Sequence, residues 1–190
     1  MMNEQSTSGM SKTNLRLVES AIMLALSTVL SLIKVYQMPL GGSVTLCSML
    51  PVLLIGYKYG FKWGILTGFT YGVIQLLLDV AAIMSWGLTP TAVAASFVFD
   101  YLIAFTCLGL AGIYGRGFSK FVAGMFTAVV LRFASHFVSG VTAYASWLPA
   151  EWQGHLCLYS IAYNGSFLLP DFIICLVVGV LLYKPLRRFL

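Results

Sequence analysis

The sequence predicts an all-α integral membrane protein, a bundle of six transmembrane helices with both termini in the cytoplasm. Three observations predict it. Apolar residues make up 59% of the chain and charged ones only 9%, against about 25% charged in a soluble domain. The 190 residues form one domain, with room for about six spans of about 20 residues and short loops. Six spans put Lys12, Arg16, Lys58, Lys62, Arg116, Lys120, Lys184, Arg187 and Arg188 on one side and leave Lys34 on the other. The positive-inside rule makes the basic side cytoplasmic. The formal charge of +5 is then a topology signal rather than a nucleic-acid footprint.

Residues 1–14 are polar and rich in Ser, Thr and Asn. They lack the apolar core and small-residue cleavage site of a signal peptide and are expected to form a disordered cytoplasmic tail. Residues 15–190 are the six-helix transmembrane domain. Span one, about 15–33, carries Ala21 and Ala25 with three residues between them, a spacing that lets another helix approach closely. Met38-Pro39-Leu40-Gly41-Gly42-Ser43 follows, a helix-breaking loop. Span two is short, about 46–57. Span three, about 63–78, has Gly64, Gly68 and Gly72 at four-residue steps, suited to close packing on a neighbour. Tyr71 and Gln75 share one face of it, and Asp79 stands at its end. Residues 80–91 are expected to be an outer connection with an interfacial Trp86.

Span four, about 92–113, carries Asp100-Tyr101 inside it. Span five, about 121–141, carries Arg132 and His136, four apart and so on one face. The connection 142–156 holds Tyr144, Trp147, Trp152 and His155. Span six, about 157–183, opens with Tyr159 and Asn164. These are five apart, so either the helix starts after Tyr159 or only one of them faces inward. Cys47, Cys107, Cys157 and Cys175 show no CxxC spacing. Cys157 lies two residues after His155, without the further ligands a metal site needs. No P-loop or glycine-rich nucleotide fingerprint is present, so ATP-driven transport would need a partner.

Ionisable groups inside spans are expensive and point to function. Asp100 and Arg132 are expected at similar depth, where they could pair, with His136 one turn nearer the outside. Tyr144 and Trp147 cap the region, and Tyr159 and Asn164 enter from span six. A carboxylate accepts from an amino group or ring N–H, and an amide offers donor and acceptor together. Aromatic faces stack on flat rings and attract cations. The set suits a small polar ring compound.

These residues carry a resemblance. Ala21 and Ala25, Met38-Pro39 with Gly41-Gly42-Ser43, Asp100-Tyr101, Arg132-Phe133 with His136-Phe137 and Ser139-Gly140, and Tyr159-Ser160 with Tyr163-Asn164-Gly165-Ser166 occur in order over six spans. From about residue 14 onward the chain resembles the thiamine-specific substrate-binding (S) components of energy-coupling-factor (ECF) vitamin transporters. The resemblance implies a bundle in the bacterial plasma membrane that binds thiamine near its extracellular face under a lid made by the first loop. It implies docking, through the Ala21 and Ala25 face, on a membrane-embedded coupling subunit bound to two ATPase subunits. No cofactor and no enzymatic activity are implied, since ATP is used only by the partners. Asp100 would hydrogen-bond the aminopyrimidine with help from Asn164. His136 and either Tyr144 or Trp147 would pack on the rings, and Arg132 would orient Asp100 or line the pocket. Tyr101, Tyr159 and Tyr71 complete the expected lining. Leu102 stands where relatives often carry proline, which leaves the local shape of span four open.

Other readings compete. The same toolkit could bind another vitamin or a pyrimidine precursor. Asp79 and Asp100 could share a proton as an intramembrane aspartyl hydrolase, although the Gly-x-Gly-Asp signature is absent. A ligand-free scaffold is the third.

Overall fold

The computed structural model describes residues 11–187. Residues 1–10 of the expected tail, and Arg188, lie outside the described residues. Helix α1 (Lys12–Leu32) takes in residues 12–14 of the expected tail. Lys12, Thr13 and Asn14 are polar without being helix breakers, so the first turn extends beyond the apolar stretch.

Five helices are long and apolar enough to cross a membrane: α1, α3 (Phe61–Ser85), a composite fourth span (Pro90–Gly112), α6 (Phe118–Thr142) and α7 (Leu156–Leu186). Between α1 and α3 lies α2 (Leu50–Tyr59), only 10 residues long. At 1.5 Å per residue it covers about half of a 30 Å hydrocarbon core. Every residue from Leu50 to Tyr57 is buried, which is why its sequence is apolar all round.

The chain is not purely helical. The first loop forms an antiparallel hairpin of β1 (Lys34–Gln37) and β2 (Ser43–Thr45), with Tyr36 opposite Val44 and a register break between Lys34 and Tyr36. A 3₁₀ turn over Pro39–Gly41 reverses the chain. Gly41 has φ 101°, the left-handed region that glycine adopts without strain. It lies so close to Trp86 that a Cβ there would stand 2.8 Å from the indole.

The glycine stripe of α3 packs as its spacing predicts. A Cβ on Gly68 would stand 2.6 Å from the Phe105 carbonyl, and one on Gly72 2.8 Å from that of Tyr101. The partner is the fourth span, whose Gly109 meets Gly64. Bare backbone contact of this kind is how helices associate without a hydrophobic driving force.

The fourth span changes pitch along its length. An α-helix α4 (Pro90–Ser96) opens into a π-helical stretch over Phe97–Ile103, tightens into α5 (Ala104–Leu108), and ends in a 3₁₀ turn over Gly109–Gly112. Two expectations change here. α3 continues through Val80–Ser85, so the connection to the fourth span is only Trp86–Thr89. Asp79 does not end its helix, because its side chain faces the interior while apolar neighbours carry the helix on. α1 buries only serines, Ser20, Ser27 and Ser31, and leaves Ile22, Leu26 and Val29 exposed.

Candidate functional site

A chamber opens at the end of the bundle that carries the hairpin, which lines it through Gly41, Gly42 and Ser43. The π-helical stretch is what turns Asp100 and its neighbour Tyr101 toward it together. A π turn bonds i to i+5 and is wider than an α turn, so adjacent side chains diverge less around the axis. Ser135 on α6 donates to the Phe99 carbonyl at 2.5 Å and ties down the widened turn.

Asp100 is held on both oxygens. Oδ1 meets His136 Nδ1 at 2.9 Å, while Oδ2 accepts from Ser96 at 2.9 Å and Ser139 at 2.6 Å. Arg132 Nε donates to His136 Nε2 at 3.3 Å. A guanidinium can only donate, so Nε2 must be the acceptor and Nδ1 must carry the proton that points at Asp100. Arg132 and Asp100 therefore do not pair directly. A neutral imidazole stands between them and fixes both. The Arg132 guanidinium also lies over the Phe105 ring, 4.2 Å from its centroid, a cation–π contact. Arg132 and His136 are each 8% exposed, and Arg132 Nη1 has no protein partner among the described residues.

α7 carries the opposite wall. It begins at Leu156, ahead of Tyr159, and both Tyr159 and Asn164 line the chamber. The solution to their five-residue spacing is a broad stripe, with Ser160, Tyr163, Phe167 and Asp171 filling it. Asn164 donates to the Ser160 carbonyl at 2.9 Å, which aims its amide oxygen away from the helix.

Tyr144 Oη lies 3.0 Å from Ser96 Oγ, and its ring is 6.3 Å from that of Trp86. Trp147 also lines the mouth but is 43% exposed. Tyr144 is thus the anchored aromatic and Trp147 the free one.

Asp100, Tyr101, Arg132, His136, Tyr144, Trp147, Tyr159, Asn164 and Tyr71 all line this one chamber. Ala21 and Ala25 stand apart, exposed on α1. Other lining residues were not anticipated. Trp86 belongs to the chamber rather than to an interfacial belt, because Gly41 of the hairpin packs on it. Asp171 accepts from the backbone N–H of Thr45 at 3.1 Å and from its hydroxyl at 3.0 Å. Gln75 donates to Ser31 at 2.9 Å; its place on the Tyr71 face was the available signal. Asp171, a charge within an apolar run after Pro170, was a signal of the same kind as Asp100.

Asp79 and Asp100 do not form a proton-sharing dyad. Tyr101 Oη donates to Asp79 Oδ2 at 3.1 Å, whereas Asp100 is bound to the His136 and serine set. The hydrolase geometry is missing for that reason. Asp79, Asp100 and Asp171 against Lys34 and Arg132 leave the lining with a formal charge of −1.

Membrane-length apolar helices around one polar, aromatic-lined chamber define a multi-pass membrane protein that binds a small solute. The chain belongs to the thiamine transporter family: residues 17–190 match the family described as Thiamine transporter protein (Thia_YuaJ), a family of transporters rather than enzymes. It is similar to the thiamine transporter ThiT of Bacillus subtilis (strain 168), with 30% identity covering 95% of this chain and 96% of that one. It is also similar to the ThiT of Lacticaseibacillus paracasei, at 26% identity over 70% of each. A solved structure of ThiT from Listeria monocytogenes has the same fold, with a TM-score of 0.73 at 22% identity, covering 94% of this chain and 98% of that one. The family and the apolar helices place the chain in the bacterial plasma membrane as a multi-pass protein.

Proposed function

We propose that the chain is a high-affinity thiamine-binding subunit that hands its ligand to an ATP-driven ECF complex. The observation that carries the binding half is the relay from Arg132 through His136 to Asp100, set in a chamber walled by Tyr101, Tyr144, Tyr159 and Asn164. Asp100 offers an acceptor for the amino group of an aminopyrimidine, and the Asn164 amide oxygen, whose own N–H groups go to Ser160 and His136, offers a second. His136 and Tyr144 offer faces for the rings, and the formal charge of the lining complements a cation. Tyr71 and Trp147 complete the floor and the mouth.

The same reading makes α2 the sixth crossing, with the hairpin completing its outer half. Lys58, Lys62, Arg116, Lys120 and Lys184 gather at one end of the bundle, opposite the chamber mouth, which supports cytoplasmic termini and an extracellular mouth. The hairpin is then the lid. Ala21 and Ala25 sit on an exposed face of a helix that buries only serines. That face supports docking on a membrane-embedded coupling subunit, itself served by two ATPase subunits. The chain needs no cofactor of its own, and ATP is consumed by the partners.

Intrinsic tryptophan fluorescence of the detergent-purified chain, titrated with thiamine, riboflavin and biotin, tests the reading. Trp86 and Trp147 report from the chamber. Saturable quenching by thiamine alone, lost in His136→Ala and Asp100→Ala, is the expected result. A response to another vitamin but none to thiamine sinks the specificity.

A further inference from the structure

We propose that Asp79 is the counter-charge for the cationic ring of the bound solute, so that this chain selects a cationic ring over an uncharged one of the same shape. The proposal rests on the thiamine reading above and assigns a residue of that same site. Asp79 lies on α3, half-buried, and lines the chamber. Its Oδ2 accepts from Tyr101 Oη at 3.1 Å. Among the described residues no lysine, arginine or histidine nitrogen lies within 4.0 Å of it.

The other chamber carboxylates have more protein partners. Asp100 is held by Ser96, Ser139 and His136, and Asp171 by the backbone and side chain of Thr45. Arg132 is engaged with His136 and the Phe105 ring. Lys34 stands exposed on β1. Asp79 thus accepts one hydrogen bond, against three at Asp100 and two, both on Oδ1, at Asp171, and it has the fewest partners of the three chamber carboxylates.

A carboxylate inside a bundle is unfavourable until something compensates it. A thiazolium does so at every pH, because its charge is fixed. Tyr101 beside Asp79, and the Trp86 and Tyr144 rings further out, supply faces that favour a cation. A neutral ring of the same shape keeps the stacking and loses the ion pair. The charge difference, rather than the shape, is what Asp79 reads.

The test is calorimetric titration of the full-length, detergent-purified chain with two ligands. One is thiamine. The other is its uncharged analogue, in which carbon replaces the quaternary ring nitrogen. Asp79→Asn is expected to weaken thiamine binding by roughly tenfold, the loss of one partly desolvated charge pair. Binding of the neutral analogue should stay within about twofold, the size of a nearby uncharged contact. Asp79→Glu should keep the preference for the cation, and Asp79→Ala makes the same comparison if the asparagine variant does not purify as a folded species. Equal losses for both ligands, or an unchanged thiamine affinity, overturn the proposal while the thiamine reading stands. An unaltered chain that binds neither ligand overturns both.

Discussion

At the scale of the residue, a chain of obligate roles sets the protonation of the site. Arg132 can only donate, so His136 must accept at Nε2 and present its proton at Nδ1, and Asp100 receives it. Each residue fixes the next. Asp100→Asn removes the charge: the amide oxygen can still accept from His136 and the Ser96 and Ser139 hydroxyls can turn to accept from its N–H groups, but no carboxylate remains for the ligand. The expected cost is about 100-fold in thiamine affinity, roughly 2.7 kcal/mol, with the fold retained. Arg132→Met should also weaken binding, although Arg132 does not touch Asp100. A double-mutant cycle of the two, read by calorimetry, should show a coupling of about 1 kcal/mol or more. Strict additivity would mean that His136 does not relay between them.

At the scale of the element, the hairpin rides on α7. Tyr163 donates to the Pro39 carbonyl, Gly42 packs on the Phe167 ring, and Thr45 is bound twice to Asp171. The anchors on α7 fall four residues apart, one helical face. The anchors on the hairpin fall three apart, so the two elements run alongside each other. The same helix presents Tyr159 and Asn164 to the chamber, so the ligand wall and the proposed lid share one support. Thr45→Val keeps the side-chain shape and removes the hydroxyl. Losing a hydrogen bond to a buried carboxylate costs about 1.5 kcal/mol. Stopped-flow displacement should show thiamine leaving roughly tenfold faster, as that energy implies, with little change in association. An unchanged release rate would show that the Thr45–Asp171 contact does not hold the lid. The π-helical stretch is the other decisive element, because it brings Asp100 and Tyr101 to one wall.

At the scale of the whole molecule, the chamber and the proposed docking face are separate. The chamber lies between α3, the fourth span, α6 and α7, whereas Ala21 and Ala25 are exposed on α1. α1 is held by polar contacts: Trp63 to Ser20 at 2.9 Å, Tyr71 to the Ser27 carbonyl at 3.1 Å, and Lys58 to Glu19 at 2.7 Å. Ala21→Trp should leave thiamine affinity within about twofold, since a substitution outside a network adds independently. Uptake into vesicles carrying the chain with its coupling subunits should fall to background. Normal uptake by this variant would place the docking face elsewhere.

The sequence by itself determined the membrane class, the glycine seam of α3, and part of the set of residues that line the chamber. Those follow from local facts: apolar runs too long for a soluble core, small residues at four-residue steps, and charges or amides where lipid would exclude them. Only the tertiary structure decided who bonds whom. The expected Asp100–Arg132 pair became a relay through His136, because depth along separate helices cannot tell which side chain stands between two others. The first loop became a hairpin, since its strands are stabilised by each other and by α7, at long separation in the chain. Trp86, Asp79 and Asp171 joined the chamber for the same reason. Asp79 and Asp171 sit on helices whose rotation is set by their neighbours, which spacing along one helix does not fix, and Trp86, in the turn after α3, is met there by Gly41 of the hairpin.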